Sequence, residues 1–362
     1  MARLRITSIL LIILSISFFI TGCGEGITER STQADEKTDT ILVRDSFGRE
    51  VLVPKEVDRI AALYSFAGYA VSLLGGGNDL VGVPGGLKRD VLLCEIFPKI
   101  LEASVPRSET INIEELLRIK PDVVIIRGDT AENEKEMEKL DKSGLPYIIV
   151  EYSNIEEQQE AISIIGKAIG KAEEAEKYIE YYIDIIARVE QVVGNIPLDE
   201  RVRVYHSENQ ATRTINKNSL AADWSTAAGV INVSVGEELN LVGNDYYANI
   251  EQILLWNPEV IIANETTAVK LIQGSPQWSG IRAVQDGKVY KLPNGISRWG
   301  HPGSVETPLA LLWTAMTVYP EKFEHIDIKE EVKYFYKTFF NLQLEDDIVD
   351  SILKGEDMRK AK

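Results

Sequence analysis

Asn112-Ile113-Glu114-Glu115-Leu116-Leu117-Arg118-Ile119-Lys120-Pro121-Asp122-Val123-Val124-Ile125 returns 137 residues later as Asn249-Ile250-Glu251-Gln252-Ile253-Leu254-Leu255-Trp256-Asn257-Pro258-Glu259-Val260-Ile261-Ile262. In each copy an asparagine stands where a helix N-cap would be and apolar residues follow at helical spacing. A Pro-acidic pair then stops the helix ahead of a short β-branched run. The unit reads as helix, turn and buried strand, and its recurrence predicts a body built twice.

Working outward, strand-like runs at 59–63, 80–83, 147–150, 202–205 and 288–292 are mostly separated by helical segments. That alternation predicts an α/β fold: two Rossmann-like lobes whose mainly parallel sheets are covered by helices. Open sheets of this kind bind ligands at the loops that follow their strands, so the site is expected there. Between the two copies, residues 171–193 contain neither glycine nor proline and predict one long helix. At about 1.5 Å per residue it would reach roughly 35 Å, enough to cross a small domain. A coiled-coil dimer stem is the alternative, but three or more clean heptads are missing. The expected layout is a lobe over 40–153, a connecting helical segment over 154–196 and a second lobe over 197–362.

The chain has 362 residues, 44% of them hydrophobic, which suffices for more than one core and excludes the disordered classes. Acidic residues outnumber basic ones 56 to 39, a formal net charge of −17. With no long Lys/Arg run to offset it, nucleic acid is not an expected partner. The two cysteines, Cys23 and Cys94, cannot build a cysteine metal site by themselves.

The N-terminus begins with Arg3 and Arg5, continues in an apolar run over 9–20 and ends in Thr21-Gly22-Cys23. It reads as an export signal over 1–22 and resembles the bacterial lipoprotein signal, in which the cysteine becomes the lipidated first residue. A plain membrane-spanning anchor is the alternative, although the run is shorter than the roughly 20 residues a bilayer requires. Residues 23–39, rich in Ser, Thr, Glu, Lys and Gly, read as a solvated tether. Removal of 1–22 would take two arginines and no acids, leaving 37 basic against 56 acidic residues and a charge of −19. With Cys23 acylated, Cys94 is expected to remain a buried or semi-buried free thiol.

The signal, the two α/β halves, the connecting helix and the repeated Asn-Ile-Glu motif together resemble the periplasmic-binding-protein family of ferric-siderophore, haem and cobalamin uptake. So do Asp45-Ser46-Phe47-Gly48-Arg49 with Val53-Pro54 ahead of Arg59-Ile60-Ala61, and Trp278-Ser279-Gly280-Ile281-Arg282-Ala283-Val284-Gln285-Asp286-Gly287-Lys288-Val289-Tyr290. The likeness runs from about Ile41 to the C-terminus. It implies a non-catalytic, membrane-anchored receptor that delivers cargo to the permease dimer of an ABC importer, with lobes that close only modestly. The leading cargo is a metal chelate, a ferric siderophore, and no resident cofactor is implied. Molybdate or tungstate, a nickel complex, haem and cobalamin are the alternatives. Glu114 and Glu251, one per lobe, match the family positions that pair with permease arginines. Alternatively, each merely favours the positive end of its helix.

Residues expected to line a cargo site are Tyr64, Ser65, Arg127, Tyr152, His206, Trp224, Arg298, Trp299 and His301. Arginines can pair with anionic oxygens while rings cover flat apolar surface. Arg127 follows the buried run 123–126 and must emerge at the sheet edge. His206 and His301 could ligate a metal if their loops meet, or His301 could shape the start of the following helix. His325 reads as a surface residue, and the clusters Gly75-Gly76-Gly77 and Gly85-Gly86 read as turns. An extracytoplasmic metallohydrolase is the competing class, but Gly-x-Ser-x-Gly, His-Glu-x-x-His and Cys-x-x-Cys are all absent from the sequence.

Overall fold

Each copy of the repeat folds as a capped helix, a left-handed turn and a strand buried on both faces. The structure, a computed structural model, describes residues 39–107, 110–356 and 358–360. The expected signal, Cys23 and nearly all of the tether lie outside those residues.

Asn112 accepts the Glu115 N–H at 3.0 Å to start the helix Ile113–Ile119, and Asn249 accepts the Gln252 N–H at 2.7 Å to start Ile250–Trp256. The Gln252 side chain reaches back to the Asn249 N–H at 3.1 Å, completing a capping box in the second copy. Both helices end on a left-handed residue, Lys120 with φ 45° and Asn257 with φ 44°, directly before the proline. The acid after each proline then receives the neighbouring strand. Asp122 accepts the Arg59 N–H at 2.9 Å, and Glu259 accepts the Arg203 N–H at 3.1 Å. The same two arginines donate to the carbonyls at the helix ends, Arg59 to Lys120 at 2.9 Å and Arg203 to Trp256 at 3.0 Å.

The two parallel sheets share one topology. In the first lobe the spatial order is Leu80–Gly82, Ile60–Ala62, Val123–Arg127, Tyr147–Val150. In the second it is Ile231–Asn232, Arg203–Ser207, Val260–Ala263, Val289–Lys291. Numbered along the chain within each lobe, both run 2-1-3-4, so the order reverses between the first and third strands. Alternate residues of each strand serve different cores, as the two-residue period dictates. Val123 and Ile125 join the main core, whereas Val124 and Ile126 pack beneath the repeat helix with Leu116 and Ile119. Val260 and Ile262 likewise join the main core, while Ile261 packs with Ile253, Trp256 and Trp278.

The connecting helix spans Ala172–Val193, and its buried stripe runs through Ala175, Tyr178, Tyr182, Ile185, Val189 and Val193. It packs against Ile155–Ala168, where Gly166 allows the close approach: a Cβ there would lie 2.6 Å from the Ala175 Cβ. The main core joins both sheets through these two helices and through Thr307–Val318, a helix buried almost all round. The lobes therefore share apolar packing along their backs rather than closing on separate cores. The last residues do not stay with the second lobe, against the expected 197–362 boundary. The Val91 N–H donates to the Met358 carbonyl at 3.0 Å and the Lys360 N–H donates to the Arg89 carbonyl at 2.9 Å.

Outside the sheets, the hairpin Thr40–Arg44 with Glu50–Pro54 docks through Asp45, whose carboxylate accepts the N–H groups of Phe47, Arg49 and Ile149. A small antiparallel sheet of Arg213–Thr214, Asp245–Tyr247 and Asn240–Val242 has no counterpart in the sequence reading. Cys94 is a buried free thiol, as expected. Among the described residues no helix is long and apolar enough to cross a membrane.

Candidate functional site

The second lobe's first and third strands end side by side at the point where strand order reverses, the crevice that open α/β sheets use for ligands. The chain leaves one strand through Ser207-Glu208-Asn209 and the other through Asn264-Glu265. Asn209, left-handed at φ 58°, donates its N–H to the Asn264 side-chain oxygen at 2.7 Å. Arg298, arriving from the loop after the fourth strand, is clamped across both ends. Its NH1 donates to the Asn209 Oδ1 at 2.8 Å and to the Glu265 carboxylate at 2.7 Å.

These groups form one wall of an interlobe cavity of about 980 Å³. The opposite wall comes from Gly86 and Arg89, which follow the first lobe's edge strand, and from the returning tail with Arg359 and Lys360. Among the described residues Arg89, Lys291, Arg298, Arg359 and Lys360 line it, with Glu265 and Glu356 as the acids. Five cations to two acids, on a chain of net charge −17, make the cavity a positive island in an acidic protein. Beside it, Glu208 is buried, and desolvation pushes its carboxyl up to about 7 although Arg213 and Arg298 pull the other way. The Arg213 guanidinium lies 3.8 Å from Glu208 and 2.7 Å from Asp245.

A second zone, nearer the connecting helices, is a direct contact between lobes. Tyr152 donates its hydroxyl to the Pro302 carbonyl at 2.5 Å, and its ring lies 4.5 Å from that of Phe66. Gly303 is held against the Ser65 and Phe66 end of the helix Ser65–Leu73 and donates its N–H to His301 Nδ1 at 3.2 Å. Gln158 donates to the Ser304 carbonyl at 3.0 Å and Tyr178 to the Val305 carbonyl at 2.7 Å, so the connecting helices set the height of this loop. Burial holds His301 well below the ordinary imidazole range, helped by the cations of Arg298, Arg213 and Arg359.

Of the nine expected cargo residues, only Arg298 lines the large cavity. Tyr64, Ser65, Tyr152 and His301 meet in the contact zone, half-buried. Arg127 stands at its strand end, 51% exposed, and pairs with Glu151 at 3.4 Å and Asp129 at 3.9 Å. Three expectations are corrected. His206 is not in a loop: its strand runs on to Ser207, and pairing with Ile262 places the imidazole inside the lobe. Both of its ring nitrogens are buried without a hydrogen-bond partner, and desolvation pushes the group down to about 4. Trp224 sits in the helix Leu220–Ala227 with its ring against His206, fully buried. Trp299 is also fully buried in the main core. For both tryptophans apolar area outweighed the appeal of a cargo contact. Gly300, at φ 70°, lets the loop lie on that indole, because a Cβ there would come within 2.9 Å of the Trp224 ring.

Among the described residues no three His, Cys, Asp or Glu side chains converge as a metal site. Glu114 and Glu251 are exposed, each in the first turn of its repeat helix.

Sequence reasoning missed Arg89, Asn209, Asn264, Arg359 and Lys360. Asn264 follows the buried run 260–263 as Arg127 follows 123–126, but it carries no charge and is buried, so the rule that singled out Arg127 does not reach it. Nothing local marks Arg359.

The family described as periplasmic binding protein matches residues 62–295 of the chain. The molybdate-binding protein MolA of Haemophilus influenzae is 22% identical over 331 residues, covering 84% of this chain and 92% of MolA. The Fe(3+)-citrate-binding protein YfmC of Bacillus subtilis is 23% identical over 295 residues, covering 79% of this chain and 89% of YfmC. Among solved structures, a periplasmic solute binding protein from Veillonella parvula superposes with a TM-score of 0.75 at 28% identity, covering 87% of this chain and 97% of that one.

Proposed function

The chain belongs to the periplasmic binding protein family, and from that premise we propose that it is the extracytoplasmic solute receptor of an ABC importer for an anionic metal chelate. The observation that carries this reading is the positive cavity between the lobes, about 980 Å³ in volume. Guanidinium groups pair with carboxylate or catecholate oxygens, and the volume lies at the upper end of the roughly 300–1,000 Å³ of small-molecule sites. A ferric hydroxycarboxylate or ferric siderophore satisfies both, and the likeness to an Fe(3+)-citrate-binding protein supports it. Haem and cobalamin fit less well, because no aromatic ring lines the cavity among the described residues.

A second reading, a tetrahedral oxyanion, is favoured by the three arginines and by the likeness to MolA. Such an ion would occupy a small corner of the cavity, so this reading requires further closure of the lobes.

The receptor would hand its cargo to the permease through Glu114 and Glu251, which occupy equivalent exposed positions of the two repeats and so offer a two-fold partner two equal anchors. Lipid on Cys23 would tether it outside the cytoplasm, and a Cys23→Ser variant that stays firmly membrane-bound would refute that.

The test is a thermal-shift and tryptophan-fluorescence screen of residues 39–362 against ferric citrate, ferric siderophores, molybdate, tungstate, nickel-histidine, haem and cobalamin. Binding to the folded state raises apparent stability by mass action. A saturable response to the ferric chelates supports the first reading. A response confined to molybdate and tungstate replaces it with the second, and a response to haem or cobalamin alone overturns both.

A further inference from the structure

The end of the chain crosses from one lobe to the other beside the cavity. On the second lobe, the Asn294 N–H donates to the Ile352 carbonyl at 3.0 Å, and Lys291 donates to the Gly355 carbonyl. Gly355 is left-handed at φ 67°, and a Cβ there would lie 2.8 Å from the Leu292 carbonyl, so the chain turns there against the sheet edge. On the first lobe, Met358 is buried in the main core and residues 358–360 run antiparallel to 89–91. Between those backbone bonds Arg359 NH1 donates to Asp90, a carboxylate 1% exposed that also accepts the Tyr69 hydroxyl at 2.5 Å.

We propose that Arg359, delivered by this returning tail, is an anion-binding residue of the interlobe cavity, and that Asp90 positions it. The assignment rests on reading that cavity as the cargo site. Three observations support it. Arg359 lines the cavity opposite Arg298. Only its NH1 is held by Asp90, while its NH2 lies on the side where Gly86, another lining residue, presents no side chain. Arg89 stands beside it, fixed by two hydrogen bonds of 2.9 and 2.8 Å to the Lys360 carbonyl. Three guanidinium groups around one open volume repel each other; Asp90 pairs with Arg359 and Glu265 with Arg298, while Arg89 has no acidic partner among the described residues, so the cluster keeps a positive excess that an anion would neutralise. A purely structural clasp would need Arg359 and Asp90 but would give no reason for Arg89 and Arg298 to face them.

The measurement is the affinity of residues 39–362 for ferric citrate and for sodium molybdate, at low and at high salt, in wild type, Arg359→Gln, Arg359→Lys, Asp90→Asn and Arg298→Ala, with the melting temperature of each. Arg359→Gln is expected to weaken whichever probe binds by about tenfold, the loss of one charge-assisted contact, and to flatten the salt dependence. Arg359→Lys should keep the salt dependence but lose affinity about threefold, because an ammonium lacks the planar fork. Asp90→Asn should fall between them. A lower melting temperature with unchanged affinity and salt dependence in Arg359→Gln, or unchanged affinity in Arg359→Lys should the first variant not fold, makes the tail a structural clasp and overturns the assignment. If Arg298→Ala weakens binding and the Arg359 variants do not, only the tail assignment falls. If wild type binds neither probe, the Arg359 assignment is overturned, while the receptor reading is still decided by the remaining ligands of the wider screen.

Discussion

The Tyr152 hydroxyl, just past the last strand of the first lobe, donates to the carbonyl of Pro302 in the second lobe's loop, 150 residues away in sequence and 2.5 Å away in space. The Phe66 ring, in the same lobe, backs the Tyr152 ring, and the hydroxyl bond ties the first lobe to the second. Tyr152→Phe keeps the ring and removes the donor, leaving a carbonyl unpaired at the contact. We expect a loss of about 1 kcal/mol in urea unfolding and a faster release of bound cargo. Unchanged stability and release would mean that the contact does not persist in solution.

Arg298 and Arg127 separate sharply in what their removal should do. Arg298→Ala takes a cation from the cavity and also leaves Glu265 there uncompensated, so an anionic chelate should bind at least about tenfold more weakly. Arg127 spends its charge on Glu151 and Asp129 and does not line the cavity. Its alanine variant should change affinity less than about threefold in the same titration, and a larger loss would move the site toward the first lobe's switch point.

Glu114 and Glu251 test the delivery step apart from capture. Reversing both charges, Glu114→Arg with Glu251→Arg, should abolish uptake into cells carrying the cognate importer while cargo affinity in vitro stays the same. Normal uptake by the double variant would remove these residues from the docking surface.

Acid should destabilise the fold through His206. Its folded value of about 4 lies below the 6.5 of the unfolded chain, so between these values unfolding takes up a proton and stability rises with pH. The loss from this group between pH 7 and pH 5 is about 2 kcal/mol. Urea midpoints at the two pH values should differ less in His206→Gln than in wild type, and equal differences would show that the imidazole is solvated.

Glu208 should act in the opposite direction, on binding. Held near 7 by burial, it is neutral in mild acid and gains a negative charge beside Arg298 as pH rises. Affinity for an anionic chelate is then expected to fall about threefold between pH 6 and 8. Titrations across that range should be flat for Glu208→Gln.

The repeat was legible because its signals are local. An asparagine cap, a helical apolar period and a Pro-acidic stop each act within a few residues, and the structure adds only that Lys120 and Asn257 turn left-handed and that Asp122 and Glu259 receive the next strand. The connecting helix was legible for the same reason. The candidate site was legible only in part. Trp224, Trp299 and His206 were expected at the site for what their side chains can bind, but whether a ring faces a cleft or a core depends on neighbours more than 50 residues away: Trp224 packs beneath Gly300, and His206 is fixed by pairing with Ile262.

From the order of its amino acids alone, this chain declares two equivalent α/β lobes, the helix between them and one exposed glutamate on each, because hydrogen-bonding periods and caps are decided within one turn or one strand. Where its charges converge is another matter. Arg89, Arg298 and Arg359 share a cavity only because 2-1-3-4 sheets bring particular strand ends together and the last residues return to the first lobe. That convergence is a product of long-range packing and backbone pairing, which no local pattern encodes.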